Sequence, residues 1–89
     1  MDRMARVPSP IAALVGSRIV ARRKELGISA AELSRRSGVS AANISFYENG
    51  RSLMNIGSLL RIASALEIDP SVLLDGVQLA VTEQQEYRG

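Results

Sequence analysis

Neither cysteine nor histidine occurs among the 89 residues. Without cysteine, no disulfide and no thiolate metal site can staple the fold. Without histidine, a Ser-His-Asp triad, a Cys–His pair and a histidine-based zinc site are excluded by inventory. Aromatic residues amount to 3%, one Phe and two Tyr, so aliphatic side chains must fill the interior, which suits thin helices packed closely together. No apolar run approaches the ~18 residues of a membrane span, and no signal-peptide pattern opens the chain. A cytoplasmic protein is expected, with no membrane contact. The length suits one small domain and is too short for two cores. No internal repeat or low-complexity segment interrupts it.

The net charge of +2 is unevenly spread. Residues 17–61 carry eight basic side chains (Arg18, Arg22, Arg23, Lys24, Arg35, Arg36, Arg51, Arg61) against three acidic ones (Glu25, Glu32, Glu48), a local charge of +5. Residues 62–89 carry Arg88 against Glu67, Asp69, Asp75, Glu83 and Glu86, a local charge of −4. A basic region beside an acidic tail points to a polyanionic partner on one face. Ordinary solvated charge is the other reading.

The stretch from Gly27 to Gly50, GISAAELSRRSGVSAANISFYENG, organises the chain. Ser29 is an N-cap, and Glu32 three residues later completes an S-x-x-E capping box. The short helix that follows carries Leu33 and stops at Gly38, since glycine enters the left-handed region at no steric cost. Val39 is an apolar plug in the turn. Ser40 caps a second helix over about Ala41 to Asn49, and Gly50 closes it. Two helices joined by a short glycine-containing turn are the pattern of a helix-turn-helix. About 100° per residue puts Ile44 and Tyr47 on the buried side and Ala42, Ser45, Phe46 and Asn49 opposite, with Ala41 and Asn43 on the flanks. Glu48 lies at the edge of the buried side.

Residues 1–8 show no periodicity and are expected to be a loose, disordered arm; the alternative is that Arg3 and Arg6 reach a phosphate or the minor groove. Ser9-Pro10 starts a helix, with Ser as cap and Pro in the first turn. Ile11, Leu14, Val15, Ile19 and Leu26 share its face. Gly16 inside that run is expected to cost roughly 1 kcal/mol against Ala, and Ser17 is an alternative start. Leu26-Gly27-Ile28 ends the helix, with Ile28 folded back. Residues 51–54 connect to a fourth helix capped by Asn55, where Ile56, Leu59, Leu60, Ile62, Ala63 and Leu66 form an apolar stripe and Arg61 and Ser64 face outward. Asp69-Pro70 opens a short fifth helix in which Val72, Leu73 and Leu74 close the core. Asp75-Gly76 is a turn. Val77, Leu79 and Val81 then alternate like a strand that a partner chain would pair, or else belong to a frayed tail. The expectation is an all-α fold of five helices over residues 9–75, between the arm 1–8 and the tail 76–89.

The segments RRKELGIS, AELSRRSGVS, NISFYENGRS and LLRIASALEI stand in the order and spacing of the lambda-repressor-like (Xre/Cro) helix-turn-helix regulators. The span from about Gly16 to Leu74, roughly two thirds of the chain, resembles that family. The resemblance implies a sequence-specific regulator of transcription that binds double-stranded DNA, a phage-type repressor, a restriction–modification controller or an autoregulating antitoxin. It implies a structural Arg23–Glu48 ion pair, and it sets Glu67 where the family usually ends a helix with glycine.

In such a domain the third helix enters the major groove with its N-terminal residues at the base edges. The family often has Gln, Arg, Ser or Lys where this chain has Ala41, Ala42 and Phe46, and Gln where it has Ala30. None of the usual bidentate guanine readers is present. Asn43 and Asn49 supply amides, Ser45 a hydroxyl, and Ala41, Ala42 and Phe46 an apolar surface suited to thymine methyls. Arg35, Arg36, Arg51 and the backbone amides at helix starts, including that begun by Ser40, would grip phosphates. Against this, the alanines suit any helix start, and Phe46 suits a patch against another part of the protein.

A nucleoid-associated homodimeric regulator is therefore expected, with no cofactor, no metal and no small-molecule effector. The competing expectation is a protein-binding antitoxin or adaptor that uses the Ala41/Ala42/Phe46 face or the tail. An enzyme has no support, since the serine hydroxyls lack a suitable general base.

Overall fold

The computed structural model describes residues 9–77. Five helices follow in order: α1 (Pro10–Leu26), α2 (Ala30–Ser37), α3 (Ala41–Glu48), α4 (Ile56–Ala65) and α5 (Pro70–Leu73), with no strand among the described residues. Each begins where a short polar side chain takes up a free amide. Ser9 Oγ accepts from the Ala12 N–H, Ser29 Oγ from Glu32, Ser40 Oγ from Asn43, Asn55 Oδ1 from Ser58 and Asp69 Oδ1 from Ser71. Each such cap contributes about 1 kcal/mol by satisfying a donor that the helix itself leaves unpaired. The first helix starts at Pro10, not at Ser17. The third ends at Glu48, with Asn49 already outside it.

α1 lies across α3 and α5, while α2 packs on α3 and α4, and α4 on α5. Val15 and Ile19 from α1, Leu33 from α2 and Val39 from the turn meet Ile44 and Tyr47 of α3. Leu59, Ile62, Ala63, Leu66 and Leu73 complete this core. Ile11, Leu26 and Ile28 pack half-buried against it. Fully burying an aliphatic side chain of this size contributes roughly 1.5–3 kcal/mol. Cohesion thus comes from aliphatic contact spread over every element.

Gly16 reverses its expected sign. A Cβ there would overlap the Tyr47 carbonyl oxygen and stand 2.9 Å from that of Glu48. Gly50 complements it, since a Cβ on that residue would lie 2.9 Å from the Ala13 Cα. These two glycines let the backbone of α1 almost touch that of α3 and of the turn that follows it.

Three other expectations fail. Glu32 does not complete the capping box, because its carboxylate is taken by Arg35 and Arg36. Ile56 and Leu60 are 69% and 49% exposed, so only Leu59, Ile62, Ala63 and Leu66 of the α4 stripe are core residues. In α5 only Leu73 is fully enclosed, while Val72 and Leu74 are 45% and 43% exposed. A four-residue helix turns one position inward, and its neighbours face out. Val77 is half-buried against the core. Leu79 and Val81 of the alternating pattern, and Arg3 and Arg6 of the arm, lie outside the described residues.

Candidate nucleic-acid interface

The turn between α2 and α3 is held by more than Gly38, which sits at φ 75°. The Ser34 hydroxyl donates to the Val39 carbonyl at 2.6 Å, and the Val39 N–H donates to Ser37 Oγ at 3.2 Å. Val39 is thereby pulled inward as the plug of the turn, and the angle between the two helices is set from both sides. Sequence reasoning passed over both serines, whose i, i+5 and i, i+2 bonds appear only once the turn has formed.

Burying Ile44 and Tyr47, with Glu48 half-buried at the edge, turns the rest of α3 outward. Ala41, Ala42, Asn43, Ser45, Phe46 and Asn49 are all exposed, with Ser40 at the N-terminal end and Arg51 just beyond the C-terminal one. One convex strip thus brings together most of the residues expected at a base-reading face. Within it, the Asn49 amide donates to Ser45 Oγ at 3.3 Å, so the two polar groups are organised as a pair. Ser40 Oγ is occupied as the cap acceptor. Phe46 is 46% exposed at the centre. The end of α3 is closed by the Arg51 N–H to Phe46 carbonyl bond at 2.9 Å and the Gly50 N–H to Tyr47 bond at 3.2 Å, a pairing that satisfies the last free carbonyls.

The remaining expected residues lie elsewhere. Ala30, at the first turn of α2, is half-buried against the core. Arg35 and Arg36 are exposed on α2, where both reach Glu32. The Glu32 carboxyl is held below its ordinary range, first by the Arg35 hydrogen bonds and then by that of Arg36.

The basic region divides into structural and solvent-facing members. Arg23 lies behind the α3 face. Its Nε donates to Glu48 Oε2 at 2.8 Å, its Nη2 to Oε1 at 3.3 Å and its Nη1 to the Ile28 carbonyl at 3.0 Å. Both side chains are nearly enclosed, at 16% and 11% exposure. This bidentate pair ties α1 to the end of α3 and uses Arg23 wholly within the fold. Arg22 donates to the Leu66 carbonyl at 2.9 Å and so clasps the end of α4, a role that no local pattern announces. Arg18 meets Asp75 at 3.5 Å. Among the described residues no acidic side chain pairs with Arg51, Arg61 or Lys24.

A protein-family model for the helix-turn-helix matches residues 19–73, from the middle of α1 to the end of α5. Repressor protein C2 of Salmonella phage P22 is 39% identical over 80 residues, which cover 85% of this chain and 37% of the repressor. The chain therefore spans little more than a third of that relative. The crystal structure of the P22 c2 repressor in complex with a synthetic operator superposes with a TM-score of 0.66 at 43% identity, over 71% of this chain and 96% of that one. The restriction-modification controller protein C.AhdI from Aeromonas hydrophila superposes with a TM-score of 0.68 at 27% identity, over 70% of this chain and 94% of that one. These relatives are regulators, not enzymes. With five capped helices, a serine-braced turn and an outward α3, this chain belongs to the helix-turn-helix family of lambda-repressor-like (Xre/Cro) DNA-binding regulators.

Proposed function

We propose that the chain regulates transcription by binding a pseudo-palindromic DNA operator as a homodimer, with α3 in the major groove, in the manner of a phage repressor or a restriction–modification controller. The observation that carries this reading is the outward strip of α3, opposite Ile44 and Tyr47. Its small apolar residues suit thymine methyl groups at ~1 kcal/mol or less each, and a bidentate Asn–adenine pair contributes roughly 1–3 kcal/mol. Asn43 and Asn49 are the candidates for that pair. Arg35, Arg36 and Arg51, with the amides at the starts of α2 and α3, would hold phosphates and set register without reading sequence. DNA shape between the half-sites adds a further term.

Selection of bound duplexes from a random pool tests this directly. The expected product is a palindrome rich in A·T pairs at the contacted positions, with half-sites about 34 Å apart. Replacing the contacted thymines by uracil should weaken binding, and Asn43→Ala or Asn49→Ala should relax preference at one base pair. Guanine at every contacted position, with no response to uracil, would overturn the assignment of α3 as an apolar and amide reader.

Phe46, 46% exposed at the centre of the strip, favours a second reading in which the same face grips a protein, as in an antitoxin or adaptor. A chain that retrieves a protein partner through Phe46 and shifts no duplex would establish it.

A further inference from the structure

Glu32 is the acidic group seated among the arginines that would grip phosphate. It lies in the first turn of α2, and its side chain is 26% exposed. Oε1 accepts from Arg35 Nε at 3.2 Å, while Oε2 accepts from both Arg35 Nη2 and Arg36 Nε, the latter at 2.8 Å. The carboxylate has given up its reciprocal capping bond for these contacts. Arg35 is closed on it in the two-pronged geometry that a guanidinium also uses for phosphate. The pairs are spaced i, i+3 and i, i+4 with the acid on the N-terminal side, the favoured order along a helix. Arg35, Arg36 and Glu32 together therefore carry a net charge of +1, and the Nε/Nη2 edge of Arg35 and Nε of Arg36 are directed at a protein oxygen.

From this geometry, and resting on the DNA-binding reading above, we propose that Glu32 competes with the DNA backbone for Arg35 and Arg36. In a helix-turn-helix the first helix of the pair crosses the phosphate backbone, so a phosphate that takes the two-pronged Nε/Nη2 edge of Arg35, or Nε of Arg36, must displace Glu32 from it. Binding to any duplex is weakened by that exchange, whatever its sequence. A larger share of operator affinity then falls on the base contacts of α3. Glu32 is thus a specificity-determining residue that touches no base. This matters for a reading face with few polar groups, because non-specific phosphate binding would otherwise swamp its modest discrimination.

The test is fluorescence anisotropy of the full chain on a labelled mixed-sequence duplex over a salt series, with thermal melts to confirm that each variant is folded. Relative to wild type, Glu32→Gln should tighten binding by about three- to tenfold near 0.1 M salt and steepen the slope of log affinity against log salt by up to about 0.9. The same variant should reduce the ratio of operator to mixed-sequence affinity. In an Arg35→Ala/Arg36→Ala background, Glu32→Gln should change affinity by less than about twofold, since no guanidinium remains to be released. An equal gain in that background would overturn the proposal in favour of a general field effect. No gain on the wild-type background, with wild type binding well, would overturn it by showing that phosphate does not compete with Glu32 for the two arginines. Failure of wild type to bind any duplex would instead remove the DNA-binding reading itself.

Discussion

Gly16 and Gly57 both occupy helices, yet an added methyl meets different surroundings at each. At Gly57 the nearest atoms to a new Cβ are side-chain atoms of Asn55 and Arg61 at 3.5 and 3.8 Å, ordinary contact distances. Gly57→Ala should stabilise the domain by roughly 0.5–1 kcal/mol through reduced freedom of the unfolded chain. Gly16→Ala gains the same helix propensity but drives the methyl into two carbonyl oxygens of α3. Separating α1 from α3 should cost about 2–3 kcal/mol net, and opposite shifts in thermal midpoint would show the difference. Glu67 is the reverse case. It is the one non-glycine residue with positive φ (60°) among those described, and it ends α4 with its N–H on the Ser64 carbonyl and that of Ile68 on Ala63. A left-handed side-chain-bearing residue is strained by about 1–2 kcal/mol, part of which glycine returns as unfolded-state entropy. Glu67→Gly should therefore raise stability by about 1 kcal/mol and Tm by several degrees.

At the scale of elements, the join between α1 and α3 rests on the Arg23–Glu48 pair. Removing one partner leaves a nearly enclosed charge uncompensated, so Glu48→Ala should destabilise by about 3 kcal/mol. The double variant Arg23→Met/Glu48→Leu removes both charges and should recover most of that loss in urea melts. A double variant less stable than Glu48→Ala would contradict this account. α5 depends on its cap in a different way. Donation from the Ser71 backbone N–H, and secondarily its hydroxyl, holds the Asp69 carboxyl below its ordinary value of 3.8. Because the folded value is depressed, the contribution is complete above the unfolded value and disappears as pH falls through the folded one. Stability measured between about pH 5 and pH 2 should therefore fall less steeply in Asp69→Asn, whose amide oxygen keeps the cap but does not titrate.

For the whole molecule, the exposed Val72 and Leu74 bear on how two copies would meet. They follow Leu66 and leave the basic α2–α3 face free, as a two-headed DNA reader requires. In the proposed homodimer, replacing both by Asp should shift the chain to monomer in sedimentation at micromolar concentration while leaving its helical spectrum intact, because neither side chain is part of the core. Operator affinity should fall as dimerisation is lost. A chain ending near Gly76 that remains dimeric would exclude the tail as the contact and leave the end of α4 and α5. Persistence of the dimer in the double-Asp chain would instead move the interface away from α5.

Caps, turns and the inward side of α3 were legible in the sequence because they depend on neighbours a few residues apart. Ser9, Ser29, Ser40, Asn55 and Asp69 start helices by local hydrogen bonds, and Ile44 and Tyr47 share a face by helical spacing alone. The candidate strip on α3 follows from the same spacing, by subtraction. Decisions that depend on distant neighbours were made only by the tertiary structure. Gly16 reads as a helix defect until Tyr47 and Glu48 lie against it. Ile56 and Leu60 look like core residues until the rotation of α4 on α2 and α5 leaves them outside. Arg22 counts towards a basic patch until the Leu66 carbonyl claims it. Glu32 is a local case instead: its alternatives, the capping N–H and the arginines one turn on, all lie within four residues, and spacing alone does not choose between them. Local preference selects the elements, whereas close packing and the need to satisfy buried polar groups decide how each element is turned and which charges remain for a partner.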